Sequence, residues 1–298
     1  MANLLDAWYI VPLDDDPKIA DATIRISTDV APPQTPSNLT TFEISDGGIC
    51  NTDGMRSYLK LGKSLVTIDA SNHVSAWIAH PDKPNLPLVT QILSQAFSAA
   101  LRRCGLFEFH SGAAIPPNES AALLIAGASG SGKSTITSQL ATAGWSYLSD
   151  DTLLLRRSGP SIEAVALRKF FALTATTIAA LPTVGPMSAK GKAKERFSPQ
   201  ELFPSHPIEI AKPSAVVFPI ITHESESRLQ QLSAAETMSR LLRLCPWACY
   251  DAVSASDHLS LLGHLARETR GFDMLAGTDL LRDQQRTVDL AYQAYSKH

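Results

Sequence analysis

The chain has 298 residues, 44% of them hydrophobic and 18% charged, with a formal net charge of −3. That length accommodates one large domain or two modest ones with an ample core. The near-neutral balance gives no overall electrostatic case for a nucleic-acid partner, and apolar runs such as Ala215–Ile221 fall far short of a membrane span.

At the N-terminus, acids stand where a signal peptide would be apolar, and no basic segment precedes them, which leads to the expectation of a cytoplasmic protein. Residues 1–87 read as a β-rich, turn-punctuated region of unassigned role. Ala22–Thr28, Ser64–Asp69 and His73–Ala79 alternate apolar and polar residues, as half-buried strands do. Prolines make Ala31–Pro36 an extended loop, and Asp46–Gly48 is a turn signal. Leu88–Gly105 is an amphipathic helix with Gly105 as its stop. Gly105–Ile115 then reads as one strand, and Ala121–Gly127 as an apolar strand buried on both faces of an α/β sheet.

Further strands are predicted at Asp151–Arg157, Ile162–Leu167 and Ser214–Thr222. Between the last two, Leu181–Lys212 is rich in Pro and Lys and weakly periodic, the pattern of a functional loop or a disordered segment. A capping box, Ser233 with Glu236, opens a helix over Ser233–Leu244, and the tail from Thr278 is helical. The four cysteines, Cys50, Cys104, Cys245 and Cys249, have no zinc or disulfide spacing and read as buried thiols.

Gly127, Ala128, Ser129, Gly130, Ser131, Gly132, Lys133 and Ser134 match G-x-x-x-x-G-K-[ST] in full, and Thr135 follows directly. Glycines let backbone N–H groups turn inward around phosphate oxygens, and the helix that follows aims its positive end at the same place. Lys133 is expected to reach the β- and γ-phosphates of ATP, and the Ser134 hydroxyl to bind Mg²⁺.

The spacing then places a carboxylate pair. A helix from Ser134 to Ala143 carries the chain roughly 15 Å away from the cradle. A return strand over Trp145–Ser149 brings it back roughly 16 Å. A βαβ crossover therefore sets Asp150 and Asp151 beside the phosphates. Mg²⁺ accounts for one carboxylate, taken with Ser134 as Asp150, and a general base for a hydroxyl proton accounts for the other. On sequence the two roles are interchangeable. No strand ends in the Asp-Glu expected of a hydrolytic motor.

The segment "FHSGAAI", the apolar strand, "GASGSGKST", a short helix and "LSDD", spanning about Leu88 to Leu155, resemble the core of the HPr kinase/phosphorylase-related P-loop kinases, including those associated with lasso peptides. A weaker likeness resumes at Ser214 and runs through the helix after Ser233. The resemblance implies an α/β, PEP-carboxykinase-like nucleotide-binding core over 88–298, phosphoryl transfer from ATP to Ser or a similar hydroxyl, and a homo-oligomer. It also implies that His110 tunes the Asp150–Asp151 pair; on the residues alone, His110 reads as a packing residue on a strand. The family's acidic residue followed by Arg-Gly has no counterpart in Glu163–Leu173, which departs from HPr itself as the acceptor.

Lys190, Lys192 and Arg196, in the basic stretch Lys190–Arg196, together with Arg168 and Lys169, are candidate cations for the transferring phosphate, against the alternative of a solvated loop. The leading expectation is an ATP- and Mg²⁺-dependent kinase acting on a peptide or small-protein hydroxyl, with no nucleic-acid or membrane partner. A kinase of a small alcohol or free amino acid is the second reading, and a nucleotide-dependent regulator the third.

Overall fold

In a computed structural model of the chain, residues 22–28, 32, 34–44, 48–71, 73–79, 86–168, 170–179, 181 and 195–296 are described. They divide into two compact units, one from residues 22–108 with 245–260, the other from residues 109–244 with 261–296.

In the first unit, β1 (Thr23–Ser27), β2 (Thr40–Ile44), β3 (Gly48–Thr52), β4 (Ser57–Leu61), β5 (Ser64–Ile68) and β6 (His73–Trp77) form a six-stranded sheet in the order β1-β6-β5-β4-β3-β2. From β2 to β6 the strands form an antiparallel meander, and β1 joins β6 in parallel. Alternation sets the faces: in β4, Ser57, Leu59 and Leu61 are buried, whereas Lys60 is exposed. Helix α1 (Leu86–Arg103) covers the apolar face with Ile92, Ala96, Ala99 and Ala100, a stripe at helical spacing, against Leu59, Val66, Val74 and Ala76.

Gly105, at φ 71°, ends α1 as predicted. Its N–H donates to the Arg102 carbonyl and that of Leu106 to Leu101, the paired bonds of a Schellman stop. This unit runs past the expected boundary at residue 87 because α1 packs on the sheet. It also takes back residues 245–260, where Trp247 joins the core and Asp251 accepts from Arg102 (3.2 Å) and Arg103 (2.6 Å). Of the predicted turn at Asp46–Gly48, the first two residues lie outside the described residues, as do Ala31 and Pro33 of the proline loop.

The chain continues through β7 (Phe107–Phe109), β8 (Ser111–Ile115), β9 (Ala121–Ala126), α2 (Lys133–Thr142), β10 (Ser146–Ser149), β11 (Leu153–Ser158), β12 (Ser161–Ala166) and β13 (Phe171–Leu173). After α3 (Ala175–Ala179) come β14 (Glu195–Phe197), α4 (Pro199–Leu202), β15 (Ile210–Ile221), β16 (Arg228–Leu232), α5 (Ala234–Leu244), α6 (Trp247–Tyr250), α7 (Ala252–Glu268), β17 (Arg270–Ala276), α8 (Asp279–Arg282) and α9 (Gln284–Ser296). The sheet of the second unit is mixed. Strand β15 lies in parallel between β9 and β17, its first residues pair with β12 in antiparallel, and β8 runs antiparallel to both β9 and β10.

Two corrections to the sequence reading bear on the site. The run Gly105–Ile115 is not one strand: β7 ends at Phe109 and β8 begins at Ser111, and between them the His110 carbonyl accepts the Gly127 N–H at 3.3 Å, next to the Ser111–Ala126 pair of β8 and β9. Strand β10 is parallel to β9, as the crossover requires, but β8 lies between them. In addition, β14, α4 and the start of β15 fall within Leu181–Lys212. Helix α2 stops at Gly144 (φ 90°) with the same bond pair that ends α1. The capping box forms as expected, Ser233 N–H donating to Glu236 at 2.8 Å and Glu236 N–H to Ser233 Oγ at 3.3 Å.

The core of this unit packs Ile136 and Leu140 of α2 and Val288 and Ala291 of α9 against Leu123, Ile125, Val217 and Phe272 of the sheet. Cys50 and Cys245 are buried as expected; Cys104 and Cys249 are exposed instead. Among the described residues no helix is long and apolar enough to cross a membrane.

Candidate active site

Strand direction gathers the site. Strands β9, β10, β15 and β17 run the same way, so their carboxyl ends share one edge, and the amino end of antiparallel β8 meets them there. That edge holds the loop Gly127–Gly132, Asp150 and Asp151 after β10, His110 before β8, and Ala276–Gly277 at the end of β17. Sheet edges of this kind are where α/β folds bind ligands.

The loop has a glycine-dependent shape. Gly130 and Gly132 lie at φ 83° and 97°, and Gly132 caps α2. A Cβ at Gly127 would stand 2.5 Å from Ser131 Oγ. Lys133 is buried, and its ammonium donates across the loop to the Ala128 carbonyl at 2.9 Å. Ser134 Oγ lies 3.4 Å from the Asp150 carbonyl oxygen, which ties the first turn of α2 to the aspartate pair. Thr135 Oγ1 contacts Thr177 Oγ1 at 2.9 Å, and Thr177 contacts Thr174 at 3.1 Å.

The two aspartates do different things. Asp150 is buried, and its Oδ2 accepts the Ala172 N–H at 3.0 Å, anchoring β13. Asp151 lines a cavity of about 340 Å³ together with Lys133, Ser134 and Thr135. Its Oδ1 lies 3.4 Å from His110 Nε2 and 3.9 Å from Lys133 Nζ, and its Oδ2 lies 3.1 Å from the Arg168 guanidinium. Lys133 and Arg168 thus offset its charge, and His110 adds to this when protonated. The turn that aims the pair is fixed by Ser149 Oγ, which accepts from the N–H groups of Asp151 and Thr152 and donates to the Thr152 carbonyl.

His110, Lys133, Ser134, Asp150 and Asp151 therefore converge, and Arg168 joins them. Arg196, on β14, pairs with Ala172 of β13 and is exposed, so it neighbours the segment that Asp150 holds. Lys169, Lys190 and Lys192 lie outside the described residues. Thr174, Thr177, the Ala172 amide and Gly112 were not singled out from sequence. A Cβ at Gly112 would meet Thr137 Oγ1 of α2 at 2.3 Å, so this glycine lets β8 approach the helix. A small residue in a strand carries no signal for that.

The opposite wall of the cavity is apolar, formed by Ile221, Ala276, Leu280 and Leu281. Together the edge offers backbone donors at a helix N-terminus, a lysine, a hydroxyl and one carboxylate facing the same space. That set can hold a phosphate group and accept a proton beside it.

No protein-family model and no curated protein matches the chain. Among solved structures it is similar to the HPr(Ser) kinase/phosphatase from Coxiella burnetii, at 10% identity and a TM-score of 0.33, over 62% of this chain and 95% of that one.

Proposed function

We propose that the chain is an ATP-dependent phosphotransferase that moves the γ-phosphoryl group to a hydroxyl, with Ser or Thr of a peptide or small protein as its acceptor. The observation that carries this reading is the position of Asp151, which shares a cavity with Lys133 and Ser134 and touches His110 and Arg168. Nucleotide binding alone needs no such carboxylate; transfer to a hydroxyl does.

In this mechanism the amides of Gly130–Ser134 and the α2 dipole bind the phosphates, with Lys133 leaving the Ala128 carbonyl to reach the β- and γ-oxygens. Asp151 takes the proton from the acceptor hydroxyl as its oxygen bonds to the γ-phosphorus. The bond from that phosphorus to the β,γ-bridging oxygen breaks, and ADP leaves with the electron pair. His110 fixes the orientation of the Asp151 carboxylate, and Arg168 holds its other oxygen.

The residues present fit a magnesium ion: a glycine loop with no room for a Cβ at Gly127, a serine hydroxyl and a carboxylate face one space. Ser134 would hold Mg²⁺, which when bound neutralises charge on the phosphate oxygens. Asp150, the aspartate first assigned to the metal, is given instead to holding β13.

The test is transfer from γ-labelled ATP to serine peptides, free serine and simple alcohols, comparing the wild type with Lys133→Ala. The proposal expects labelled peptide, reduced at least about 100-fold in the variant. Label appearing only as free phosphate, at a rate indifferent to Lys133, would overturn it.

A further inference from the structure

A second cavity, of about 300 Å³, lies beside the first. Tyr147, Phe170, Phe171, Pro199 and Pro207 line it, together with Arg168. Arg168 and residues 170–174 form the wall between the two. Phe170 and Phe171 face the second cavity, whereas Ala172 and Thr174 face the first, as alternation along β13 dictates for Phe171 and Ala172.

Both aspartates hold this wall, Asp151 through Arg168 at 3.1 Å and Asp150 through the Ala172 amide at 3.0 Å. The carboxylate that lines the first cavity is therefore in contact with a residue that lines the second. A transferase needs an acceptor space within reach of its proton-accepting group, and Arg168, which lines the second cavity, touches that group.

We propose that the second cavity binds the acceptor by seating an aromatic or prolyl ring next to the reacting hydroxyl. The inference rests on the phosphotransferase reading above. Phe170 and Pro207, both half-buried, present apolar surface that suits a ring, over the buried Tyr147 and Phe171, and the volume fits one ring-bearing side chain, not a folded partner. The preferred peptide acceptor carries Ser or Thr beside Phe, Tyr, Trp or Pro.

The test uses the full chain with Mg²⁺ and a non-hydrolysable ATP analogue, irradiated with a short peptide in which 4-benzoylphenylalanine follows a single serine. Adducts are expected at Phe170–Phe171 or Ser198–Gln200, competed by the Ser-Phe peptide and not by the Ser-Asp peptide. Competition by 2-phenylethanol at equal concentration would assign the ring to a small alcohol; its failure would assign it to a peptide. Gln200 is an exposed residue at this lining, and Gln200→Trp would fill it. The variant should cut adduct yield and raise the acceptor KM at least tenfold, with the KM for ATP unchanged within twofold.

Adducts elsewhere, no adducts, or indifference to Gln200→Trp would overturn the acceptor assignment while leaving the kinase reading standing if the analogue binds. Failure of the analogue to bind, measured by calorimetry, would overturn both.

Discussion

Replacing Gly112 by alanine perturbs the site without touching any ligand-facing atom. The added methyl would lie 2.3 Å from Thr137 Oγ1 and 3.2 Å from the Ser149 and Asp150 carbonyl oxygens, where ordinary contact begins at 3.4 Å. Either α2 retreats by about 1 Å, carrying Lys133 and Ser134 with it, or the Asp150–Asp151 turn moves. Overpacking of this kind costs about 1–3 kcal/mol of stability, and a displacement of about 1 Å at a reacting centre costs about 100-fold in turnover. Thr137 Oγ1 is buried and makes no hydrogen bond among the described residues, so Thr137→Ala removes the worst clash at small cost. Urea denaturation and transfer assays on both single variants and the double variant measure the coupling. Gly112→Ala should lose stability and kcat, and the double variant should regain most of both. A Gly112→Ala protein with wild-type stability and turnover, or a double variant no better than the single, would refute the packing argument.

Three further outcomes follow from the structure. Burial, with repulsion from Arg102, pushes His258 down to about 4, against about 6.5 in an unfolded chain, so the native state holds it neutral. Stability is therefore complete above pH 6.5 and falls by about 3 kcal/mol as the pH drops to 4. His258→Phe, which preserves the stacking on Phe107 at 4.4 Å, should flatten urea midpoints between pH 7 and 4.5; equal slopes in both proteins would count against this. A thiol reagent should modify Cys104 and Cys249 rapidly in the native protein. Cys50 and Cys245, whose thiols burial pushes up to about 11 and about 12, should react only on unfolding, a contrast that mass spectrometry reads directly. Ser233→Ala should cost about 1 kcal/mol by removing the α5 cap, and a change in the urea midpoint well below that would argue that the cap is redundant.

What was legible in the sequence was local. The glycine-dependent turn that opens α2, the glycine stops after α1 and α2, and the Ser233–Glu236 cap are each written within a few residues, where propensity and hydrogen-bonding chemistry act directly. The return of Asp150 and Asp151 to the loop followed from helix and strand rises alone, even though β8 intervenes between β9 and β10. The division of labour between the aspartates was not legible. It depends on Arg168 and the Ala172 amide, which lie 17 and 22 residues further along the chain. The break at His110 was hidden by apolar residues on both sides that fit a single strand. The return of residues 245–260 to the first unit rests on Asp251 meeting arginines nearly 150 positions earlier, a pairing no local pattern encodes.

The central claim is that Asp151 accepts the acceptor proton while Asp150 anchors β13, and transfer from γ-labelled ATP by Asp151→Asn and Asp150→Asn tests it most directly. Asp151→Asn should lose about 100- to 10,000-fold in transfer while still binding ATP, as removal of a general base does. Asp150→Asn, which keeps an oxygen able to accept the Ala172 N–H, should lose far less. Near-normal transfer by Asp151→Asn, or a greater loss in Asp150→Asn, would contradict the account.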